Sequence, residues 1–192
     1  MKFLAIDTSG QKLAVIAQNE DKTVVRAQNS AMRHSILLMD EIDGALKEAN
    51  LPLAACDFIA CVVGPGSFTG IRIGISAVKG LCMAVGVPAL AVTSFDCLAY
   101  AEKRERLLAL VDAGHGHFYA CPYDGFKPQA AAYLSNEEAN AIAEKGYAPV
   151  TERDTDIAEG LKNAANALSA RKASATELVA LYLRKSSAEE GR

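Results

Sequence analysis

The sequence predicts an α/β protein of two related units, each a β-meander followed by helix and strand, with the second unit abbreviated. Three observations predict it. Short β-like runs separated by turn residues begin near residue 2 and again near residue 106. An amphipathic helical pattern follows the first set. The nearly continuous apolar run from Asp57 to Val63 is that of a strand buried on both faces of a parallel sheet.

Taken in order, Phe3 to Ile6, Lys12 to Ala17 and Thr23 to Ala27 form the first meander, turning at Thr8-Ser9-Gly10 and Asn19-Glu20-Asp21. From Ser35 to Ala49 the apolar positions Leu38, Ile42, Ala45, Leu46 and Ala49 recur every three or four residues, marking a crossover helix closed by Asn50 and Pro52. The strand at 57–63 runs into a glycine-rich loop, a helix from Gly70 to Val85, a strand from Pro88 to Val92, and a helix opened by Thr93-Ser94 that reaches Glu102. The charged cluster Glu102 to Arg106 interrupts the apolar rhythm and divides the chain into 1–103 and 104–192. Beyond it, Leu107 to Val111 and Phe118 to Tyr123 flank a hairpin turn at Asp112 to Gly116, and Ala130 to Leu134 adds a third strand. Ser135 with Glu138 is a capping box for a helix to Lys145, and helices from Asp156 to Arg171 and from Ala175 to Leu183 complete the expectation.

Composition narrows the function classes. With 192 residues, 51% apolar and 22% charged, the chain buries a core without staples, roughly 70% of its unfolded surface. The five cysteines form no CxxC pair and sit mostly in apolar runs, which predicts a reducing, cytoplasmic setting. No apolar run approaches the ~20 residues of a membrane span, so no membrane association is expected. A net charge of -3, with no basic cluster stronger than Lys103, Arg104 and Arg106, argues against independent nucleic-acid binding.

The segment richest in chemistry is Gly64-Pro65-Gly66-Ser67-Phe68-Thr69-Gly70-Ile71-Arg72-Ile73-Gly74. Two readings of it stand open. Backbone N–H groups, a Ser67 or Thr69 cap and Arg72 converge at a helix N-terminus, which suits an anion. Equally, Gly70, Gly74 and Ala77 let the helix pack closely on a neighbour. The string is neither a Walker loop nor GxGxxG. For metals, His34 is followed four residues later by Leu38, so no HxxxH pair exists, and His115 and His117 lack an identifiable third ligand. There is no Gly-x-Ser-x-Gly elbow for a hydrolase nucleophile. Ile36, Met39 and Ile73 exceed the apolar residues that a helix with one solvent face needs, which points to a partner surface.

The string resembles the TsaB (YeaZ) family, which serves the synthesis of threonylcarbamoyladenosine (t6A) at position 37 of tRNA. Leu4-Ala5-Ile6-Asp7-Thr8-Ser9, His34-Ser35 with Leu37-Leu38, Ala77-Val78-Lys79-Gly80-Leu81, Val92-Thr93-Ser94, Val111-Asp112-Ala113 and Tyr182-Leu183-Arg184 carry the rest of the resemblance. It implies an actin/Hsp70-like (ASKHA, ribonuclease H-like) fold and a non-catalytic scaffold, an accessory subunit of tRNA N6-adenosine threonylcarbamoyltransferase with no activity alone. It also implies TsaD and TsaE as partners, a homodimer when alone, and tRNA contact only through the complex. No cofactor of its own is implied, any nucleotide lying at the junction with TsaD. On this reading Asp7, Thr8 and Ser9 are a vestigial phosphate loop, Gly64 to Gly70 with Arg72 the glycine-rich loop, and His34, Leu37, Leu38, Glu41, Ile71, Ile75 and Val78 the interface. The competing classes are a self-sufficient ASKHA ATPase or kinase, which lacks a late adenosine motif here, and a peptidase-like hydrolase.

Overall fold

The computed structural model describes residues 1–29 and 33–184. Alternating apolar residues fold the first meander as β1 (Lys2–Asp7), β2 (Lys12–Asn19) and β3 (Lys22–Asn29). The crossover helix α1 (His34–Ala49) ends in left-handed Asn50 and returns the chain to β4 (Phe58–Val62) through a 3-10 turn at Leu53–Ala55. Helix α2 (Phe68–Val85), strand β5 (Ala89–Val92) and helix α3 (Ser94–Glu102) follow. The sheet order is β3-β2-β1-β4-β5, antiparallel within the meander and parallel from β1 through β4 to β5. All five residues of β4 are buried, as a central parallel strand requires.

The second sheet repeats the plan in shorter form. β6 (Arg106–Gly114) and β7 (His117–Asp124) make a hairpin whose two turn residues, His115 and Gly116, both have positive φ, which is type I′ geometry. The short β8 (Lys127–Pro128) and β9 (Ala132–Ser135) both pair with β7. The Ser135–Glu138 capping box opens α4 (Asn136–Ala143), and β10 (Ala148–Thr151) then lies parallel to β6 as β4 lies parallel to β1. Strand β10 was not legible in the sequence. It is a four-residue edge strand containing Pro149, and a proline is tolerated only at such an edge.

Helix α5 (Ile157–Ala167) crosses the expected division at 103/104. Its Ala158, Leu161, Ala164 and Ala165 pack on Phe3, Ala5, Ile16 and Leu90 of the first sheet, so the unit 104–192 is not self-contained. Helices α3 and α5 form a layer between the sheets, with Phe95, Leu98 and Ala99 facing Leu107, Val111 and Tyr123 of the second. The two helices approach so closely that a Cβ on Gly160 would lie 2.0 Å from the Cys97 carbonyl oxygen. On the outer faces, α1 and α2 cover the first sheet and α4 covers the second.

The expected helix over 175–183 is corrected. Only Ala175–Glu177 forms a 3-10 turn; Leu178 then enters the first core and the Leu181 N–H donates to the Val63 carbonyl at 2.8 Å. Anchors at those two points pull the segment straight and override its Ala and Leu content.

Candidate functional site

The glycine string closes the first sheet onto its own first turn. After β4 the chain passes Gly64, at φ +107, and a cis Gly64–Pro65 bond, then enters α2 with Ser67 as N-cap accepting from the Gly70 N–H at 3.2 Å. The Ser67 N–H donates to the Ser9 carbonyl at 2.7 Å, and the Ser94 hydroxyl donates to the Pro65 carbonyl at 2.7 Å. A Cβ on Gly66 would stand 2.5 Å from the Ser9 carbonyl oxygen, one on Gly70 2.0 Å from that of Thr8, and one on Gly74 2.5 Å from Thr8 Oγ1. Of the two open readings, close packing therefore accounts for these three glycines, because the backbone of Ser9 and Thr8 fills the place of a side chain at Gly66 and Gly70, and the Thr8 hydroxyl does so at Gly74.

The Asp7-Thr8-Ser9 loop is used up in the same contact. Asp7 Oδ1 accepts from both the N–H and the hydroxyl of Ser9 at 2.7 Å, and Thr8 Oγ1 donates to the Gly70 carbonyl at 2.6 Å. Burial, opposed by those Ser9 bonds, raises the Asp7 carboxyl above its ordinary range. From the second sheet, the Glu152 carboxylate reaches across to Gly10, its oxygens 3.1 and 3.3 Å from where a Cβ would be. Burial and then the Asp7 charge raise Glu152 as well. Nothing in the sequence singled out Glu152, since no local pattern marks a residue whose importance lies in crossing to the other lobe.

The outer side of the two helices is different. Helix α2 is the one helix among the described residues long and apolar enough, by length and composition, to span a membrane, against the expectation of none. Gly70, Ile71, Gly74, Val78 and Cys82 bind its inner stripe to the sheet, leaving much of its remaining apolar surface outside. There it forms, with α1, an open groove of about 510 Å³ lined by Ser35, Leu38, Met39, Phe68, Thr69, Arg72, Ile73, Ser76 and Ala77. Ile36 is 67% exposed, Met39 52% and Met83 74%. Arg72 lies over the Phe68 ring, its guanidinium carbon 3.7 Å from the centroid.

Most of the residues expected at an interface lie on the inner side of these helices. His34, Leu38, Ile71 and Val78 are buried, and Leu37 and Ile75 are half-buried against the first core. Glu41 is taken by Arg26 and Gln28 of β3. Leu38 alone of the buried set also contributes to the groove floor. The physical reason is phase: α1 turns positions 34, 38, 42, 45, 46 and 49 inward, which leaves 36 and 39 outside. Ile36, Met39 and Ile73, singled out as surplus, are exposed or half-exposed. The imidazole Nε2 of buried His34 has no hydrogen-bond partner among the described residues. His117 stacks flat on Tyr133 at 4.8 Å and 3°, with its Nδ1 3.0 Å from the His115 carbonyl. Burial raises the thiols of Cys56, Cys82 and Cys121 to about 11, so these behave as core residues and not as nucleophiles.

Two meander-helix-strand lobes, with the Asp7-Thr8-Ser9 turn at the first hairpin and helices between the sheets, define the class: an actin/Hsp70-like (ASKHA) fold. Residues 15–174 match the family described as TsaD, tRNA N6-adenosine threonylcarbamoyltransferase, and the chain belongs to that family, within its TsaB (YeaZ) members. It is 29% identical over 127 residues to the tRNA threonylcarbamoyladenosine biosynthesis protein TsaB of Escherichia coli, covering 64% of this chain and 55% of that protein. To TsaB of Bacillus subtilis it is 32% identical over 127 residues, with the same coverage. The match thus spans about half the length of these curated relatives. The solved structure of YeaZ from Pseudomonas aeruginosa superposes with a TM-score of 0.80 at 27% identity, covering 95% of this chain and 99% of that one.

Proposed function

We propose that the chain is an accessory subunit in t6A synthesis, docking on TsaD through the α1/α2 groove and supporting transfer of the threonylcarbamoyl group to tRNA without catalysing it. The observation that carries this reading is the contrast within one motif. The glycines of α2 are spent on packing against Thr8 and Ser9, whereas Phe68, Arg72, Ile73 and Ala77 of the same helix line an open apolar groove. Relatives named for threonylcarbamoyladenosine biosynthesis supply the pathway.

TsaD fits as the occupant because this chain matches the TsaD family description across both lobes, so TsaD carries the same helix pair. Two such pairs can meet face to face about a pseudo-two-fold axis. The same geometry supports self-pairing when TsaD is absent. TsaE joins through the complex, as does tRNA, and the setting is the cytoplasm. The closed Thr8-Ser9 turn and the Glu152 carboxylate favour a subunit with no nucleotide of its own, any nucleotide lying at the TsaD junction. They weigh against a self-sufficient ATPase. The test is threonylcarbamoyl incorporation into unmodified tRNA by TsaD, TsaE and a threonylcarbamoyl-adenylate donor, with and without this chain. Dependence on the chain is expected, together with no incorporation by the chain alone; equal incorporation without it overturns the proposal.

A further inference from the structure

The tail motif Tyr182-Leu183-Arg184 lies outside the function argued so far, yet it touches the groove. From buried Leu178 the segment runs extended along the end of β4, where the Leu181 N–H donates to Val63 and the Leu181 carbonyl oxygen lies 3.0 Å from the position of a Gly64 Cβ. Tyr182 then stacks on Phe68, centroids 4.8 Å apart at 29°, and its hydroxyl accepts from Arg72 Nε at 3.2 Å. Because Arg72 also lies over the Phe68 ring, the three side chains form one closed triangle. Leu183 packs on the core beneath the second sheet, and Arg184 donates to the Tyr133 hydroxyl of β9 at 3.2 Å.

Two of the three triangle members, Phe68 and Arg72, are walls of the groove. Tyr182 itself is 43% exposed, and its ring and hydroxyl both engage that wall. We infer that Tyr182 is a positioning residue for the docking groove: the tail ties Phe68 and Arg72 into the conformation that receives TsaD, and through Leu183 and Arg184 anchors that wall to the second lobe. A phenylalanine and an arginine fixed by a tyrosine have the composition of an interface anchor, and pre-ordering them before contact removes an ordering cost from association. The inference rests on the docking reading above and adds to it a residue far from α1 and α2 in sequence.

The experiment measures affinity for TsaD by calorimetry, well below the melting temperature, for the full chain and three variants, with melting curves for each. Tyr182→Ala is expected to weaken binding at least tenfold while remaining fully folded at the assay temperature. Tyr182→Phe, which keeps the stacked ring and loses only the hydroxyl, is expected to stay within about threefold of wild type. Met39→Glu places a charge in the groove from the other helix and is expected to weaken binding by a hundredfold or more. If Tyr182→Ala binds as wild type while Met39→Glu does not, the groove stands and the positioning role is wrong. A loss in Tyr182→Ala explained by its unfolded fraction alone overturns the inference in the same way. If Met39→Glu binds normally, the docking face itself is misplaced, and the inference falls with it.

Discussion

The two sides of helix α2 are made from alternate residues of one motif and do opposite things. On the inner side Gly66 and Gly70 admit the backbone of Ser9 and Thr8, and Gly74 the Thr8 hydroxyl, at distances no side chain allows. On the outer side, one to three positions away, Phe68, Arg72, Ile73 and Ala77 line an open groove. Small residues here serve cohesion and larger ones leave an apolar face open, so a motif that reads as a ligand loop is better explained as a joint, with the proposed docking face on its back. The difference also tells which substitutions act on folding and which on association.

The largest effect is expected on the inner side. Gly70→Ala puts a methyl group 2.0 Å from a main-chain oxygen that cannot rotate away, so α2 must separate from β1. A loss of about 3 kcal/mol is expected, read from the urea midpoint. A wild-type midpoint would show that the two elements are not in that contact.

A smaller effect belongs to the cleft. Glu152 is raised above its usual 4.5 by burial and by Asp7, so the folded state prefers it neutral. That preference costs nothing below about pH 4.5 and grows as pH rises through the raised value, because the folded chain then holds an ionised carboxylate it solvates poorly. Glu152→Gln should therefore raise the melting temperature at pH 7, by roughly 1 to 2 °C for a partly solvated group, and leave it unchanged near pH 4. Thermal melts at the two pH values decide it, and an equal shift at both removes the electrostatic account.

The smallest effect on stability is expected on the outer side. Ile36→Ser and Met83→Ser replace side chains that are 67% and 74% exposed, and each should change stability by no more than about 0.5 kcal/mol in a urea titration. A larger loss would mean these residues support the fold, and the contrast between the two sides would blur.

How far the sequence reveals this arrangement depends on whether the cause is local. The alternation at Phe3 to Ile6 and Lys12 to Ala17, the spacing from Leu38 to Ala49 and the buried run of β4 each carry their own periodicity, and all three elements stand where those patterns put them. The capping boxes at Thr93 with Asp96 and at Ser135 with Glu138 likewise form, because every atom they need lies within four residues. What the sequence leaves open is decided at long range. Choosing between an anion cradle and a packing joint required knowing that Thr8 and Ser9 sit opposite Gly70. Helix α2, with isoleucines at 71, 73 and 75, is apolar nearly all round, so periodicity does not say which isoleucine points inward; Ile71 does, although the family resemblance implies an interface role for it. The tail from Ala175 is composed like a helix and is held straight by Val63, Phe68 and Tyr133, all more than forty residues away.

The central claim is that the open side of α1 and α2 is where this chain meets TsaD. The most direct measurement is the mass of an equimolar mixture with TsaD, by light scattering coupled to size exclusion, for wild type and for the double variant Ile36→Glu/Met39→Glu. Both substituted side chains are more than half exposed, so the variant is expected to melt with wild type. The account predicts a one-to-one complex for wild type and two separate species for the variant, because a charge buried in that contact has no counter-ion to meet it. A folded double variant that still elutes as the full complex would contradict it and place the docking surface elsewhere on the molecule.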